Sequence, residues 1–398
     1  MSALAGVCVL DLTTVVMGPY ASQILGDHGA DVIKVEAPSG DILRQVGPAR
    51  SPGMSSNFLA SNRNKRSLVL DLKQRAAYEV LKRLVTTADV LLHNVRPSAM
   101  ARLGLAYGDL APLNPRLIYV AAVGYGERGR YAGRPAYDDL IQGASGLAAL
   151  IAEAGDGTPR YVPMTMADRT VGLHVVNSVM AALLARARTG KGQSIEVPMF
   201  ETFAGFVMGD HLGGLTFDPP LGPAGYARVL SRDRRPYATR DGHICVLIYN
   251  DKQWRSFFQA IGRAELADDP RFADHRRRSE RIDEVYAFAA EIFRTRTTAE
   301  WQGLLEEADV PVMPLHTIAS LTEDPHLKET GMLRWEDHPS EGRIRVVDLP
   351  GSWSDTPPTA RRPAPRLGEH SVEILREAGL THDEIEALVA SGATTREA

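Results

Sequence analysis

Short apolar runs alternate with helical patterns over the first 125 residues of the chain. The strand-like runs are 7–10, 31–36, 67–72, 89–94 and 117–125. Between them, apolar residues recur three and four positions apart, which predicts helices at 20–30, 75–88 and 98–104. Strands that alternate with helices in this way are typical of a parallel sheet in an α/β fold.

The pattern changes further along the chain. Residues 138–150 have a helical pattern, and residues 168–187 form the longest one, apolar on nearly every side, which is typical of a buried helix. A strand is predicted at 193–200. Residues 211–240 are rich in Gly, Pro and Arg and have few periodic apolar positions, which favours a long loop.

A compact block after that loop predicts a second, smaller domain. It begins with a strand at 243–249 and continues with helices from 252 to about 308. The stretch 310–321 is expected to return to the first domain, and two short helices are predicted within 370–392, the second capped by Thr381. The predicted domains are 1–210 (N-terminal part of the large domain), 211–312 (linker loop and small domain) and 313–398 (C-terminal part of the large domain).

Composition and charge exclude several classes of protein. The 398 residues are 44% hydrophobic and 24% charged, which is ordinary for a globular chain, and a net charge of −4 argues against a nucleic-acid partner. Cys8 and Cys245 lie in separate apolar runs, which favours buried thiols over a disulfide. We expect no signal peptide, since Asp11 ends the first apolar run, and no membrane span, since no 18-residue stretch is wholly apolar. A cytoplasmic location is predicted.

The common cofactor and nucleophile motifs are missing from the sequence. The turn at 13–20 has a single glycine followed by proline, so it lacks the glycines that let a dinucleotide-binding turn approach a pyrophosphate. Neither G-x-x-x-x-G-K-[ST] nor G-x-S-x-G occurs. The eleven histidines form no H-E-x-x-H motif and the two cysteines form no C-x-x-C pair, so no metal site is predicted.

Asp168 is the carboxylate that stands out. It follows a loop of glycine and proline and opens the most apolar helix. One interpretation is an N-cap, whose side chain accepts a backbone N–H and offsets the helix dipole. The other is a nucleophile, since an ionised carboxylate in a dry pocket can attack an activated acyl group while nearby backbone N–H groups receive the developing oxyanion. The residues alone leave both interpretations open.

Two groups of cations offer similar alternatives. Lys65, Arg66, Lys73 and Arg102 lie near the early strand ends, where an α/β sheet binds ligands, so they are either a solvated face or ligands of a phosphorylated substrate. The arginines of the 211–240 loop are either solvated or able to pair with a second carboxylate of a substrate; they are Arg228, Arg232, Arg234 and Arg235.

Several segments together resemble the class III CoA-transferase family, the group that includes formyl-CoA transferase and carnitine CoA-transferases. The matching segments are 9–38, 62–73, 94–97, 102–104, 114–126, 137–147, Asp168, 188–197 and 365–375. Each is short, but their order and spacing over nearly 400 residues are specific.

The resemblance implies a fold, a site and an assembly. The nucleophilic aspartate of the family falls on Asp168. Family positions that contact coenzyme A fall on Val16, Met17, Leu70, Lys73, Asn94, Val95, Arg96, Arg102, Pro135, Ala136, Tyr137 and Asp138. The implied fold is a Rossmann-like parallel-sheet large domain with a smaller α+β domain, in an interlocked homodimer. Coenzyme A enters as the thioester substrate, beside a carboxylic acid, and no tightly bound cofactor is implied.

The implied reaction moves CoA from an acyl-CoA donor to a carboxylic acid acceptor through an aspartyl anhydride and an aspartyl–CoA thioester. Formyl-type members carry Arg where this chain has Ala37 and Gln where it has Val16, and their active-site run of glycines is not evident, which argues against a formyl and oxalate pair. Racemases of the family use the His of a Gly-His-Asp stretch, which here is Ala136-Tyr137-Asp138. Without that base, we favour a transferase over the alternative, an acyl-CoA racemase or isomerase.

Overall fold

Strands and helices alternate along residues 2–396, the part of the chain that the computed structural model describes. The strands are β1 Cys8–Leu12, β2 Asp31–Glu36, β3 Lys65–Val69, β4 Val90–His93, β5 Ile118–Val123, β6 Gln193–Pro198, β7 Tyr237–Ala238, β8 His243–Val246, β9 Val312–Pro314, β10 Leu333–His338 and β11 Gly342–Val347. The helices are α1 Met17–Asp27, α2 Ser56–Leu59, α3 Arg75–Val85, α4 Pro97–Arg102, α5 Tyr107–Leu110, α6 Asp138–Ala144, α7 Leu147–Ala154, α8 Met166–Thr189, α9 Met199–His211, α10 Ala227–Leu230, α11 Asp251–Ala260, α12 His275–Glu280, α13 Ile282–Phe293, α14 Thr298–Glu307, α15 Ile318–Leu321, α16 Pro325–Glu329, α17 Ser371–Glu377 and α18 His382–Ala390.

The main sheet has six parallel strands in the order β3-β2-β1-β4-β5-β6. This is the Rossmann-like order, and it confirms the predicted α/β fold class. Most of these strands are buried on both faces, which explains why the sequence shows them as continuous apolar runs. Helices α1 and α8 pack against one another beside the sheet. Side chains of α3, α17 and α18 share one apolar core with the strands.

Several element bounds differ from the sequence prediction by a few residues, and three of these differences have a clear physical reason. β3 begins at Lys65 and ends at Val69, because its ladder with β2 begins where Val32 lies opposite Lys65. The helix predicted at 138–150 divides into α6 and α7 at Gly146, which adopts a φ of 88° that interrupts a helix. β6 ends at Pro198, which has no N–H for a further ladder bond, and α9 begins at Met199.

The chain folds into two compact units. The first comprises Met1–Ser145, Val162–Gly205 and Pro325–Ala398. It contains the parallel sheet and the β10–β11 hairpin. Thr381 caps α18, as predicted, by accepting the N–H of Glu384.

The second unit comprises Gly146–Tyr161 and Phe206–Asp324. Its three strands pair antiparallel in the order β7-β8-β9, and its core is rich in aromatic residues such as Trp254, Phe257 and Trp301. Strands with separate helices make this unit α+β. The sequence analysis placed residues 146–161, 206–210 and 313–324 in the large domain, but they belong to the second unit, since β9 pairs with β8 and the first unit resumes only at Pro325.

Helix α8 is long and apolar enough to cross a membrane by length and composition alone. Core helices of soluble proteins pass the same test. In this structure α8 packs against α1, β5 and β6. The sequence expectation that the chain has no membrane span stays a prediction.

Candidate active site

The turn after β1 lies where the strand order reverses. β1 pairs with β2 on one side and with β4 on the other, and ligands of open α/β sheets bind in the crevice at such a point. Asn94, directly after β4, holds this turn by its amide: Oδ1 accepts the Thr14 N–H at 3.1 Å and Nδ2 donates to the Thr14 carbonyl oxygen at 2.8 Å. The predicted CoA positions after β1 and after β4 therefore adjoin.

Val15 has a left-handed backbone conformation in this turn. Its φ is 70°, which is a genuine outlier for a β-branched residue and marks a constrained backbone. The Val15 N–H donates to Oδ1 of Asp41 at 3.1 Å, and Lys34 Nζ donates to Oδ2 of Asp41 at 2.9 Å. Lys34 also donates to the Thr13 carbonyl oxygen at 2.9 Å. This buried ion pair fixes the shape of the turn that leads into α1.

A second buried ion pair lies under the same turn. Lys65 Nζ is 3.1 Å from Oδ2 of Asp11 and donates to Oδ1 of Asn62 at 2.8 Å, while the Ser22 hydroxyl donates to Asp11 at 2.6 Å. Burial by itself raises the pKa of Asp11, but the charges of Lys65 and Lys34 and the nearby hydroxyls hold that pKa at about 2. Burial lowers the pKa of Lys65 to about 8.

Lys65 and Arg66 belong neither to a solvated face nor to a phosphate-binding site, the two alternatives that the sequence left open. Lys65 and Arg66 begin β3, at the end of the strand opposite the ligand-binding edge. Lys65 is fully buried against Asp11, and Arg66 pairs with Asp31 at the start of β2 and with two glutamates of α17. Both interpretations were wrong for these residues, because the acids that neutralise them are distant in sequence. Lys73 and Arg102 are exposed.

Helix α8 approaches the first turn of α1 at Gly172. A Cβ on Gly172 would lie 2.9 Å from the Met17 carbonyl oxygen and 3.1 Å from Cδ1 of Tyr20, so a larger residue would separate the helices. Asp168 and Arg169 precede Gly172 by four and three residues, and residues at these spacings share one face of a helix. The guanidinium carbon of Arg169 lies 4.9 Å from the centre of the Tyr20 ring. The structure thus brings Asp168 to the end of α1 that carries Met17.

Asp138, at the start of α6, anchors the first turn of α8. Its Oδ1 accepts the backbone N–H of Asp168 at 2.9 Å, and its Oδ2 accepts Nε2 of Gln142 at 2.6 Å. Gln142 also donates to the Met164 carbonyl oxygen at 3.1 Å and accepts the N–H of Val162 at 2.8 Å. Asp138 and Gln142 therefore fix both the loop before α8 and the backbone of Asp168.

Asp168 is not the N-cap that one sequence interpretation proposed. The cap position is Thr165, and Asp168 lies inside the first turn with its own N–H bonded to Asp138. Within residues 2–396 the Asp168 carboxylate accepts no hydrogen bond. Burial, and then the negative charge of Asp138, raises the pKa of Asp168 to about 7, against the opposing charge of Arg169. The group therefore keeps its proton to a higher pH than an ordinary aspartate does.

The other predicted CoA positions lie at neighbouring strand ends. Ala136 packs closely against Gly124, which directly follows β5. A Cβ on Gly124 would lie only 2.4 Å from the Cβ of Ala136, so the close approach requires a glycine there. The exposed members are Lys73, Arg96, Arg102, Pro135 and Tyr137, the partly buried ones are Val16, Asn94, Val95 and Ala136, and the buried ones are Met17, Leu70 and Asp138. Leu70 lies in the apolar core, so its contact with CoA would have to come from its backbone.

Five residues that shape this site were missed as site residues by the sequence analysis. They are Lys34, Asp41, Gln142, Arg169 and, as the partner of a buried lysine, Asp11. Only Arg169 carried a signal in the sequence, since it directly follows Asp168. Among residues 2–396, no group of three or more His, Cys, Asp or Glu side chains is placed to hold a metal ion.

Comparisons with known proteins show the family to which the chain belongs. Residues 4–371 match the model of CoA-transferase family III. The succinate–glutarate CoA-transferase of Agrobacterium fabrum is 35% identical over 387 residues, which cover 94% of this chain and 95% of that protein. The succinyl-CoA:glutarate CoA-transferase of Mus musculus is 32% identical over 98% of this chain and 90% of its own. The crystal structure of a CaiB/BaiF family protein from Brucella suis matches with a TM-score of 0.79 at 32% identity, covering 95% of this chain and 99% of that one. The chain belongs to CoA-transferase family III and is a CoA-transferase.

Proposed function

We propose that this enzyme transfers CoA from an acyl-CoA to a carboxylic acid with Asp168 as the nucleophile. We further propose that its donors include succinyl-CoA and that its acceptors include glutarate. The observation that carries the proposal is the position of Asp168. Its carboxylate is partly buried at the start of α8, beside the α1 turn, with its backbone fixed by Asp138. The substrate classes follow the names of the relatives from Agrobacterium fabrum and Mus musculus.

In the first half of the reaction, an oxygen of ionised Asp168 attacks the thioester carbonyl carbon of the donor. The carbon–sulfur bond breaks and CoA leaves as the thiolate, which gives a mixed anhydride between Asp168 and the donor acid. The thiolate then attacks Cγ of Asp168. The donor acid leaves as its carboxylate, and Asp168 becomes a CoA thioester.

In the second half, the acceptor carboxylate attacks Cγ of the Asp168 thioester and displaces the CoA thiolate, which gives a second anhydride. The thiolate attacks the acyl carbon of the acceptor, so the new acyl-CoA forms and the Asp168 carboxylate is restored. Both intermediates react with water, so water must be kept away from them, and the partial burial of Asp168 supports this. Thioester energy is conserved throughout because each step exchanges one activated acyl group for another.

The test is the Asp168→Ala variant, with succinyl-CoA as donor and a panel of acceptor acids. We expect loss of nearly all transfer activity with CoA binding retained, as measured separately by calorimetry. The matched control is Asp139→Ala, since Asp139 is an exposed acid in the first turn of α6 and has no assigned role. Retained transfer in the Asp168→Ala variant would overturn the assignment.

A chemical trap distinguishes the proposed enzyme from a CoA-binding module and from an isomerase. Incubation of the wild type with succinyl-CoA and hydroxylamine should place a hydroxamate on the peptide that contains Asp168. A binding module would give no modified peptide. Exchange of the α-proton of an acyl-CoA in deuterated water, without an acceptor acid, would support the isomerase instead.

We also propose a homodimer and a cytoplasmic location, as the sequence analysis expected. Apolar side chains on α8, including Leu173 at 48% and Leu184 at 57% exposure, support a further protein contact in the assembled enzyme. Light scattering on the purified protein should give twice the 43.4 kDa of one chain. A mass of one chain at micromolar concentration would contradict the dimer.

A further inference from the structure

Arg169 lies beside the nucleophile and is paired with no acid in the described part of the chain. Within residues 2–396 it forms no ion pair, and its guanidinium carbon lies 4.9 Å from the centre of the Tyr20 ring. The nearby buried cations are committed, because Lys34 is paired with Asp41 and Lys65 with Asp11. Arg169 is therefore the positive charge next to Asp168 that is free to meet a substrate.

The charge of Arg169 lies near both the nucleophile and the first turn of α1. Arg169 precedes Gly172 by three residues, Gly172 touches the first turn of α1, and the guanidinium carbon lies 4.9 Å from the centre of the Tyr20 ring in that helix. Its charge also acts on the Asp168 carboxyl group, so a thioester that Asp168 attacks comes near Arg169. In a succinyl or glutaryl group the free carboxylate lies roughly 4–5 Å from the reacting carbon, a span of three or four bonds.

We propose that Arg169 binds the free carboxylate of a dicarboxylic substrate and so makes the enzyme selective for dicarboxylic over monocarboxylic acids. The inference rests on the proposed function of Asp168. An arginine suits this role because its planar fork donates two parallel hydrogen bonds to one carboxylate. Its ring contact with Tyr20 holds the guanidinium plane in place.

The experiment compares kcat/KM for glutarate and for pentanoate, two five-carbon acids that differ in one carboxylate, with a monocarboxylic acyl-CoA as donor. In Arg169→Met the ratio of the two values should fall about 10- to 100-fold, since hydrogen bonds to a charged group are worth about 1.5–3 kcal/mol. Loss of Arg169 also raises the pKa of Asp168, which slows both acids, and the ratio cancels that effect. Arg169→Lys keeps the charge without the fork and should recover part of the ratio.

Arg188→Met is the matched control, because Arg188 is an exposed arginine in the last turn of the same helix. Its ratio should equal that of the wild type. The concentrations of glutarate and of pentanoate that inhibit the reaction of the donor compare the binding of the two acids without their turnover. This measurement can therefore be made on a variant that turns over slowly.

The outcomes separate the two proposals. A wild type that transfers CoA, with the same acid ratio in Arg169→Met, would overturn the role of Arg169 alone. An equal loss for both acids together with weaker CoA binding would assign Arg169 to CoA and would also overturn it. A wild type inactive on the whole acid panel would overturn the proposed function and this inference with it.

Discussion

Replacement of Asp138 by Asn tests whether its charge sets the ionisation of Asp168. Asp138 Oδ1 accepts the Asp168 N–H at 2.9 Å, and an asparagine keeps an oxygen that can accept this bond while it removes the charge. With the charge gone, the pKa of Asp168 should fall. Asp168 attacks as its carboxylate, so the acid limb of the pH profile should move to lower pH.

The structure limits the size of this movement. At an effective dielectric constant of about 20, two unit charges roughly 5–10 Å apart interact by about 2–3 kcal/mol, which corresponds to about one to two pH units. Burial contributes more than Asp138 to the rise of the Asp168 pKa from 3.8 to about 7, and the charge of Arg169 opposes both. We expect a movement of about one pH unit, or about 1.4 kcal/mol.

The assay is kcat/KM for the acyl-CoA donor, measured from about pH 5 to about pH 9, because this ratio reports ionisations of the free enzyme. The wild type should have an acid limb near pH 7 and Asp138→Asn near pH 6. Asp139→Asn is the control, since Asp139 is the exposed neighbour in the same helical turn and should leave the limb in place.

Two results would refute the electrostatic reasoning. One is a limb in Asp138→Asn that stays near pH 7 or moves to higher pH. The other is a uniform loss of rate at every pH with the limb unmoved, which would mean that Asp138 acts only by holding the backbone. The lost hydrogen bond from Gln142 contributes to such a uniform loss, so the position of the limb, not its height, decides the test.

Three further changes test neighbouring parts of the site. Asp168→Asn should raise thermal stability more at about pH 8.5 than at about pH 5. Because the pKa of Asp168 is about 7 in the folded protein and 3.8 ordinarily, its ionisation lowers the stability of the wild type as pH rises between these values, by at most about 4 kcal/mol. Calorimetry that gives equal gains at both pH values would contradict this. Asn94→Ala removes both hydrogen bonds to Thr14 and, at about 1 kcal/mol per bond, should weaken CoA binding about 10- to 30-fold. An unchanged Kd, measured by titration calorimetry, would contradict CoA binding at the turn after β1. Gly172→Val forces a side chain against the Met17 carbonyl and should cost about 1–3 kcal/mol in unfolding free energy together with transfer activity, whereas an unaltered melting curve would show that α1 and α8 separate freely.

The sequence predicts the parallel sheet well because its strands are buried on both faces. A strand such as β5 has only apolar side chains, and a run of this kind is visible without knowledge of its partners. The apolar face of α3 is visible in the same way, whereas α8, which the sequence predicted as a buried helix, leaves Leu173 and Leu184 exposed. The bounds depend on partners that are distant in sequence, which is why β3 begins two residues before its apolar run, at a lysine that Asp11 neutralises.

The site was predicted only in part, for a related reason. The position of Asp168 followed from the family resemblance, whereas its hydrogen-bond partner did not. Asp138 was assigned to CoA contact, and the structure shows it buried and bonded to the backbone of a residue 30 positions away. Likewise, the pairing of Lys34 with Asp41 depends on how the loop after β2 folds back beside the β1–α1 turn, which a local pattern does not record.

The two ion pairs under the β1–α1 turn also determine how the enzyme responds to salt. Their side chains are fully shielded from solvent, so mobile ions do not reach them, and the turn keeps its shape as ionic strength rises. Exposed cations such as Lys73 and Arg102 are screened by the same ions within about 10 Å at 0.1 M salt. Added salt therefore weakens the attraction of a charged substrate to the surface of the site without altering the frame that receives it.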